Sequence, residues 1–162
     1  MTEIKYRSCL LFVAVDMALE LYNGSLKVEE ITNRWYDEYR KKNFGAMITF
    51  VGVVRDEDNI SGLSFDVYRP LLQNWFDEWQ KKADEQNALL AMAHSIGDVK
   101  NHESSYIACV MSPKRRVALE MIDEFVEDFK ANAPIWKYDL IGEKRVYALD
   151  RSHKISGSGI LL

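Results

Sequence analysis

The sequence predicts an α+β domain with a mixed or mostly antiparallel sheet. Three observations carry this. Strand-like segments come in adjacent pairs between single amphipathic stretches, in the order β-α-β-β-α-β-β-α-β-(β). Neither G-x-x-x-x-G-K-[ST] nor G-x-G-x-x-G occurs, so no phosphate-loop nucleotide fold is signalled. The 162 residues are 48% apolar, ordinary for one globular domain, and no repeat, low-complexity tract or linker divides them.

The elements follow in order. Leu19 to Tyr22 reads as a short strand closed by the turn dipeptide Asn23-Gly24. Ser25 precedes a helical stretch, with Val28, Ile31, Trp35 and Tyr39 three or four apart, ending in Arg40-Lys41-Lys42 before Asn43. Gly45 to Arg55 is nearly all apolar and β-branched, the pattern of a strand buried on both faces. After the loop Asp56–Gly62, the residues Leu63, Phe65 and Val67 alternate with polar ones, which predicts a strand with one wet face. Pro70 opens a second helix, with Leu71, Leu72, Trp75, Phe76 and Trp79 as its apolar stripe. Leu89–Ile96 is a strand stopped by Gly97-Asp98, and Ser104–Met111 is another. Ser112 is expected as N-cap, with Pro113 first in a third helix. That helix turns Ala118, Met121, Ile122, Phe125 and Phe129 inward and Glu120, Asp123, Glu124, Glu127 and Asp128 outward, and Pro134 ends it. Ile135–Ile141 and Arg145–Leu149 complete the strands, and the tail around Ser156–Gly159 reads as flexible.

Lys plus Arg is 21 against 25 for Asp plus Glu, a net charge of −4 that argues against a nucleic-acid-coating surface but not against a local basic pocket. The two cysteines, Cys9 and Cys109, form no C-x-x-C, and three scattered histidines cannot complete a zinc cluster, so no metal is expected. A reduced, cytoplasmic compartment is the simplest reading. No apolar run approaches the length of a membrane span. The run Cys9–Val15 behind Lys5 and Arg7 leaves three readings open: a signal peptide, an extension upstream of a start at Met17, or a buried first strand.

Three features rise above a bland core. Ser112-Pro-Lys-Arg-Arg116 puts three cations on the first turn of a helix, where free amides attract anions and cations are unfavourable. It reads as an anion site or as a solvated patch. In Lys130-Ala-Asn-Ala-Pro-Ile-Trp-Lys137, one lysine ends a helix and the other sits among apolar residues, where a lysine can serve as base or nucleophile. Locally, the simpler reading is that both snorkel to water. Arg55 ends an apolar strand, as a binding side chain or as the partner of Asp56, Glu57 or Asp58. His94 and Cys109 fit strand interiors and are expected as core.

At these same segments the chain resembles the large, catalytic subunit of molybdopterin synthase. The matching stretches are Phe44–Asn59, Leu63–Leu71, His94–Val99, Ser112–Glu120 and Phe129–Asp139, in the family's order and at about its spacings. The resemblance implies an α/β hammerhead-like sheet with three helices and a small extra antiparallel sheet. It implies a single domain over 17–151, with 1–16 an extension expected to be poorly ordered and 152–162 a flexible tail. It implies conversion of cyclic pyranopterin monophosphate to molybdopterin by insertion of two dithiolene sulfurs. The sulfur donor would be a small ubiquitin-like subunit with a C-terminal Gly-Gly thiocarboxylate. Two large subunits would form a central dimer within a heterotetramer, with no resident cofactor.

Residue by residue, the resemblance makes Lys130 and Lys137 the catalytic pair. It makes Phe50, Val53, Val54, Arg55, Lys114, Arg115, Tyr138 and Asp139 substrate-binding. Lys114 stands where the family usually has His, Ser95 where it has Arg, Asp139 where Glu is common and Leu71 where Met is common. Lys114 keeps the cation but not an acid–base group that titrates near neutral pH. Both the substrate phosphate and the thiocarboxylate are anionic, and Lys114, Arg115, Arg55, Lys130 and Lys137 are the cations expected to gather them. The alternative is a non-catalytic module of the same fold that binds a ubiquitin-like partner. A small RNA-binding domain using Lys114–Arg116 is a third reading, opposed by the net charge.

Overall fold

A computed structural model describes residues 19–57 and 59–148. The extension 1–16 and the tail 152–162 lie outside them. The elements are β1 (Leu19–Asn23), α1 (Val28–Tyr39) running into a 3-10 turn (Arg40–Lys42), β2 (Ala46–Val53), β3 (Gly62–Val67), α2 (Arg69–Glu85), β4 (Leu89–Lys100), β5 (Ser104–Ser112), α3 (Arg115–Asn132), β6 (Ile135–Ile141) and β7 (Lys144–Tyr147). The strands order as β2-β5-β4-β3-β6-β7, with β1 added to β4. Every pairing is antiparallel except β1 with β4.

β4 and β5 are apolar on both faces, so both faces must be covered. On one face Leu90, Met92, Ala108 and Val110 pack under Leu72, Phe76 and Trp79 of α2 and Met121 and Phe125 of α3. On the other, Ala91, Ala93, Ile107 and Cys109 receive Ile31, Trp35 and Tyr39 of α1. Small strand residues there leave room for the large helix residues, as close packing requires. Cys109 is fully buried, and burial pushes its thiol up to about 11, which makes it a packing group rather than a nucleophile.

β4 is twelve residues long because it serves two subsheets. Its first part, Leu89–His94, pairs with β5, and Gly97–Lys100 pairs with β3. The expected stop at Gly97-Asp98 is instead a bend within the strand: Gly97 has φ +79°, which a side chain would resist. The join also needs Gly62, where an added Cβ would lie 2.3 Å from the Val99 carbonyl oxygen.

Two more local expectations change. Among the described residues β2 is an edge strand bonded only to β5, so Phe50, Val51 and Val53 stay substantially exposed although the segment reads as doubly buried. In β3, Ser64 is buried rather than wet, and its hydroxyl donates to Asp98 at 2.6 Å. Ser112 does not cap α3. Its hydroxyl donates to the Lys114 carbonyl at 2.5 Å, and the helix starts at Arg115 with Lys114 as N-cap.

Asp128 was expected to face solvent but clasps α2 to α3. Its Oδ2 accepts from the indole nitrogens of Trp79 at 2.6 Å and Trp75 at 3.0 Å. Burial alone would raise its pKa. Hydrogen bonds from Asn132, Trp79 and Trp75 outweigh that and hold it below the usual carboxylate range. Asp128→Ala strands both indole donors and should cost about 2 kcal/mol, seen as a melting temperature lowered by roughly 5 °C.

His94 is core, as expected: it is 2% exposed, edge-on to Phe65, with Nδ1 2.7 Å from the Ser95 carbonyl. Burial lowers its pKa to about 4. The unfolded chain takes up this proton near pH 6.5 and the folded one does not until about 4. Stability is therefore complete above 6.5 and falls as the pH drops toward 4, by about 3 kcal/mol from this residue alone. Denaturant titrations across this window should show the loss in the parent chain and a flatter profile in His94→Gln.

Candidate functional site

A cavity of about 330 Å³ opens where the two subsheets part. Such a volume suits a small molecule. Each wall follows from a local feature of the sequence.

The end of β2 supplies Phe50, Val53, Val54 and Arg55. Val54 is fixed from both sides of its peptide: its N–H donates to the Glu103 carbonyl at 2.9 Å, and its carbonyl accepts from His102 N–H at 2.7 Å. Its side chain packs with Phe65 and Val99. The chain is thereby held as it leaves the sheet, with Arg55 beside the cavity. Arg55 is exposed, and its guanidinium pairs with Glu57 at 2.7 Å. The carboxylate partner expected for Arg55 and a place on the cavity wall therefore coexist. An exposed pair of this kind is worth little and can yield to an anionic ligand.

β5 carries a bulge. Gly52 faces Tyr106 but Val53 faces Ser104, so Ser105 is the extra residue. The Ser104 hydroxyl closes the irregularity by donating to the Gly52 carbonyl at 2.9 Å. Bulges re-aim side chains, and here Ser105 and Tyr106 both line the cavity. Gly52, Tyr106 and His94 form one row across β2, β5 and β4. Phe129 of α3 stacks on Tyr106 at 3.9 Å, with the planes 9° apart.

The two lysines arrive from opposite sides of one short turn. Lys130 occupies the last turn of α3, where the helix dipole favours a cation, and Ala133-Pro134 ends the helix. Lys137 lies in β6 opposite Phe65. Both line the cavity, Lys130 exposed at its mouth and Lys137 half-buried.

Of the ten residues singled out in the sequence, six meet here: Phe50, Val53, Val54, Arg55, Lys130 and Lys137. Four do not line it. Tyr138 points to the opposite face of β6, packing on Tyr147 with the Arg145 guanidinium 4.1 Å from its ring centre. Asp139 is one pleat beyond Lys137, opposite Leu63. Lys114 and Arg115 sit exposed at the start of α3, and fifteen helical residues place Lys130 roughly 22 Å further along at 1.5 Å per residue. One copy of the chain thus does not gather all five expected cations.

Tyr106 and Ser105 were missed, and His94 was read only as core. Their strands are apolar and alternate like ordinary core, and no local signal marks them. The register that sets Tyr106 against a glycine would have been the clue. Among the described residues no group of three or more His, Cys, Asp or Glu is placed to hold a metal, and no helix is long and apolar enough to cross a membrane.

Comparison with known proteins gives the family and the fold. The family model described as "MoaE protein" matches residues 23–132. A molybdopterin synthase catalytic subunit of Helicobacter pylori strain 26695 is 51% identical over 143 residues, 88% of this chain and 99% of that protein. One from Thermoplasma volcanium is 30% identical over 78% of this chain and 93% of its own length. Among solved structures, the complex of subunits 1 and 2 of molybdopterin-converting factor from Helicobacter pylori 26695 superposes with a TM-score of 0.84 at 50% identity, over 90% of this chain and 99% of that one. Molybdopterin synthase from Staphylococcus aureus, at 20% identity, shares the fold with a TM-score of 0.66 over 80% of this chain and 96% of that one. The extent of the family match and the identity to full-length relatives together place this chain in the MoaE family.

Proposed function

We propose that the chain is the catalytic subunit of a molybdopterin synthase, a sulfurtransferase of the reducing cytoplasm. It converts cyclic pyranopterin monophosphate to molybdopterin with sulfur delivered as the C-terminal thiocarboxylate of a small ubiquitin-like subunit. The observation that carries this reading is the convergence of Arg55, Lys130 and Lys137 on one cavity with apolar walls, the arrangement two anionic reactants need. It also weighs against a module that only binds a partner, which has no use for three cations around a small-molecule cavity.

The roles follow from position. Lys130, at the mouth, is placed for a tail arriving from solvent. Once the tail sulfur has bonded to a pterin carbon, Lys130 stabilises the negative charge that develops on the tail carbonyl as water cleaves the acyl–sulfur bond, leaving the sulfur on the pterin and a carboxylate on the tail. Lys137, deeper, orients the pterin and moves protons at the carbons that receive sulfur. Arg55 exchanges Glu57 for an anionic group of the substrate. Cys109 supplies no sulfur, since it is buried and held as a thiol. Val53 and Val54 position the Arg55 backbone, while Tyr138 and Asp139 shape the strand that holds Lys137.

Lys114 and Arg115 cannot reach the cavity at the far end of their own helix. In the dimeric assembly a second copy brings its α3 start to the mouth, where the phosphate lies.

Lys130→Ala in the reconstituted complex should lower dithiolene formation about 100-fold or more with the fold intact. A variant as fast as the parent would refute the assignment. Mixing Lys130→Ala chains with Arg115→Ala chains tests the shared site. If the second copy supplies Arg115, mixed dimers hold one complete site, and about a quarter of parental activity returns on random pairing. If each chain uses its own Arg115, none returns.

A further inference from the structure

Among the described residues, one buried side-chain oxygen of the cavity lining has no hydrogen-bond partner. Tyr106 Oη is buried and has no hydrogen-bond partner, although the ring lines the cavity and is fixed by its stack on Phe129. A phenylalanine would make the same stack. Leaving a hydroxyl buried and unpaired costs about 1–3 kcal/mol, so the empty protein is less stable for having it. Such a group is accounted for when something that binds there completes its hydrogen bonds.

The neighbour across the strand points to what that is. His94 lies opposite Tyr106 in the β4–β5 register, with ring centres 5.9 Å apart. A carbonyl only accepts, so the 2.7 Å contact of Nδ1 with the Ser95 carbonyl puts the proton on Nδ1. Nε2 is left as an acceptor, and burial keeps the ring neutral at physiological pH. The floor of the cavity thus offers a hydroxyl that can give or take a hydrogen bond and an imidazole that takes one, among Phe50, Phe65 and Phe129. No cation stands in this row. The charges are held elsewhere on the wall, by Arg55, Lys130 and Lys137. An anion on the floor would be desolvated without a counter-charge, whereas a flat neutral heterocycle would gain both aromatic contacts and hydrogen bonds.

We propose that Tyr106, with His94 beside it, binds the pterin heterocycle of the substrate and sets its orientation, ring on the floor and phosphate toward the cationic mouth. This rests on the molybdopterin synthase reading. A pterin edge carries amide and amino N–H donors beside carbonyl and ring-nitrogen acceptors, the complement of a hydroxyl and an imidazole nitrogen. Gly52 leaves room for the Tyr106 side chain across the ladder, since an added Cβ there would lie 3.3 Å from Tyr106 Cβ.

The test is Tyr106→Phe in the full chain, read by equilibrium binding, melting temperature and turnover. Cyclic pyranopterin monophosphate, followed by its own fluorescence, should bind about tenfold more weakly, the loss of one neutral hydrogen bond. Inorganic phosphate should compete equally well in parent and variant, because the mouth is untouched. The melting temperature should stay the same or rise. In the reconstituted complex KM for the pterin should rise, with kcat and KM for the small subunit unchanged. Unchanged pterin binding overturns the inference, as does a lowered melting temperature with parental affinity, which would mark the hydroxyl as structural. A defect confined to the small subunit also overturns it. Failure of the parental complex to make dithiolene would instead overturn the functional reading, and the binding comparison would still decide the role of Tyr106.

Discussion

The structure depends on β4 outrunning β5. A strand apolar on both faces has to be covered by helices on both, and α1 against α2 and α3 does this for the first part of β4. Beyond His94 the partner changes from β5 to β3, and the sheet bends at Gly97. Where two subsheets diverge from one strand, their facing side chains cannot close on each other. The cavity is that gap. It receives β2 from one side, β6 from the other and the end of α3 from above. The site is therefore a consequence of the core rather than an addition to its surface. Its lining can be held rigidly because each contributing element is anchored in a subsheet or in the helix layer.

Within the gap, charge and neutrality are segregated. Exposed or half-buried positions carry the cations, where solvent lowers the cost of their charge. The fully buried row carries only groups that are neutral at physiological pH, and burial itself keeps them so: it depresses His94 and raises Tyr106. A bipolar ligand, anionic at one end and a neutral heterocycle at the other, matches that gradient in one orientation. Reversed, it would place its phosphate against buried groups with no counter-charge. Orientation is thus set by desolvation as much as by contact.

Much of the fold is legible in the sequence, and the failures have physical reasons. The three helices stand out because each has one apolar stripe and a clear end: the basic turn before Asn43, Pro70, and Pro134. Strand burial was misjudged for β2, because apolar residues on both faces do not reveal that only one edge is paired. Gly97 was read as a stop, since glycine signals a bend and a terminus alike. The lysine pair is visible as residues, but local sequence alone favours snorkelling over chemistry. The resemblance to a family tips that balance, and the convergence on one cavity gives it geometry. Lys114 and Arg115 show the opposite limit. Sequence already places them at the opposite end of the third helix from Lys130, and yet the resemblance groups all five cations around one substrate; the structure gives the separation within one copy as a length of α3. Asp128 belongs with the outward acids by periodicity. Its role appears only when two indoles from another helix reach it.

Tyr106 is hidden for a deeper reason. Sequence patterning detects residues that agree with the fold, and Tyr106 agrees in every respect but one: it is aromatic, on an inward position, in a doubly buried strand. The exception is a single oxygen without a partner. A fold optimised for stability alone would not keep it, because the stack on Phe129 needs only the ring. Trp35 Nε1 and Ser95 Oγ are buried without a partner as well, but neither residue lines this cavity; an unpaired group on a cavity wall is where function is expected to show, since a group that serves a ligand must go unsatisfied when the ligand is absent. The same argument separates this hydroxyl from Asp128. That carboxylate is fully employed in holding two helices together, and removing it only weakens the protein. Removing the hydroxyl relieves the empty protein, and any loss that follows must therefore come from what binds there.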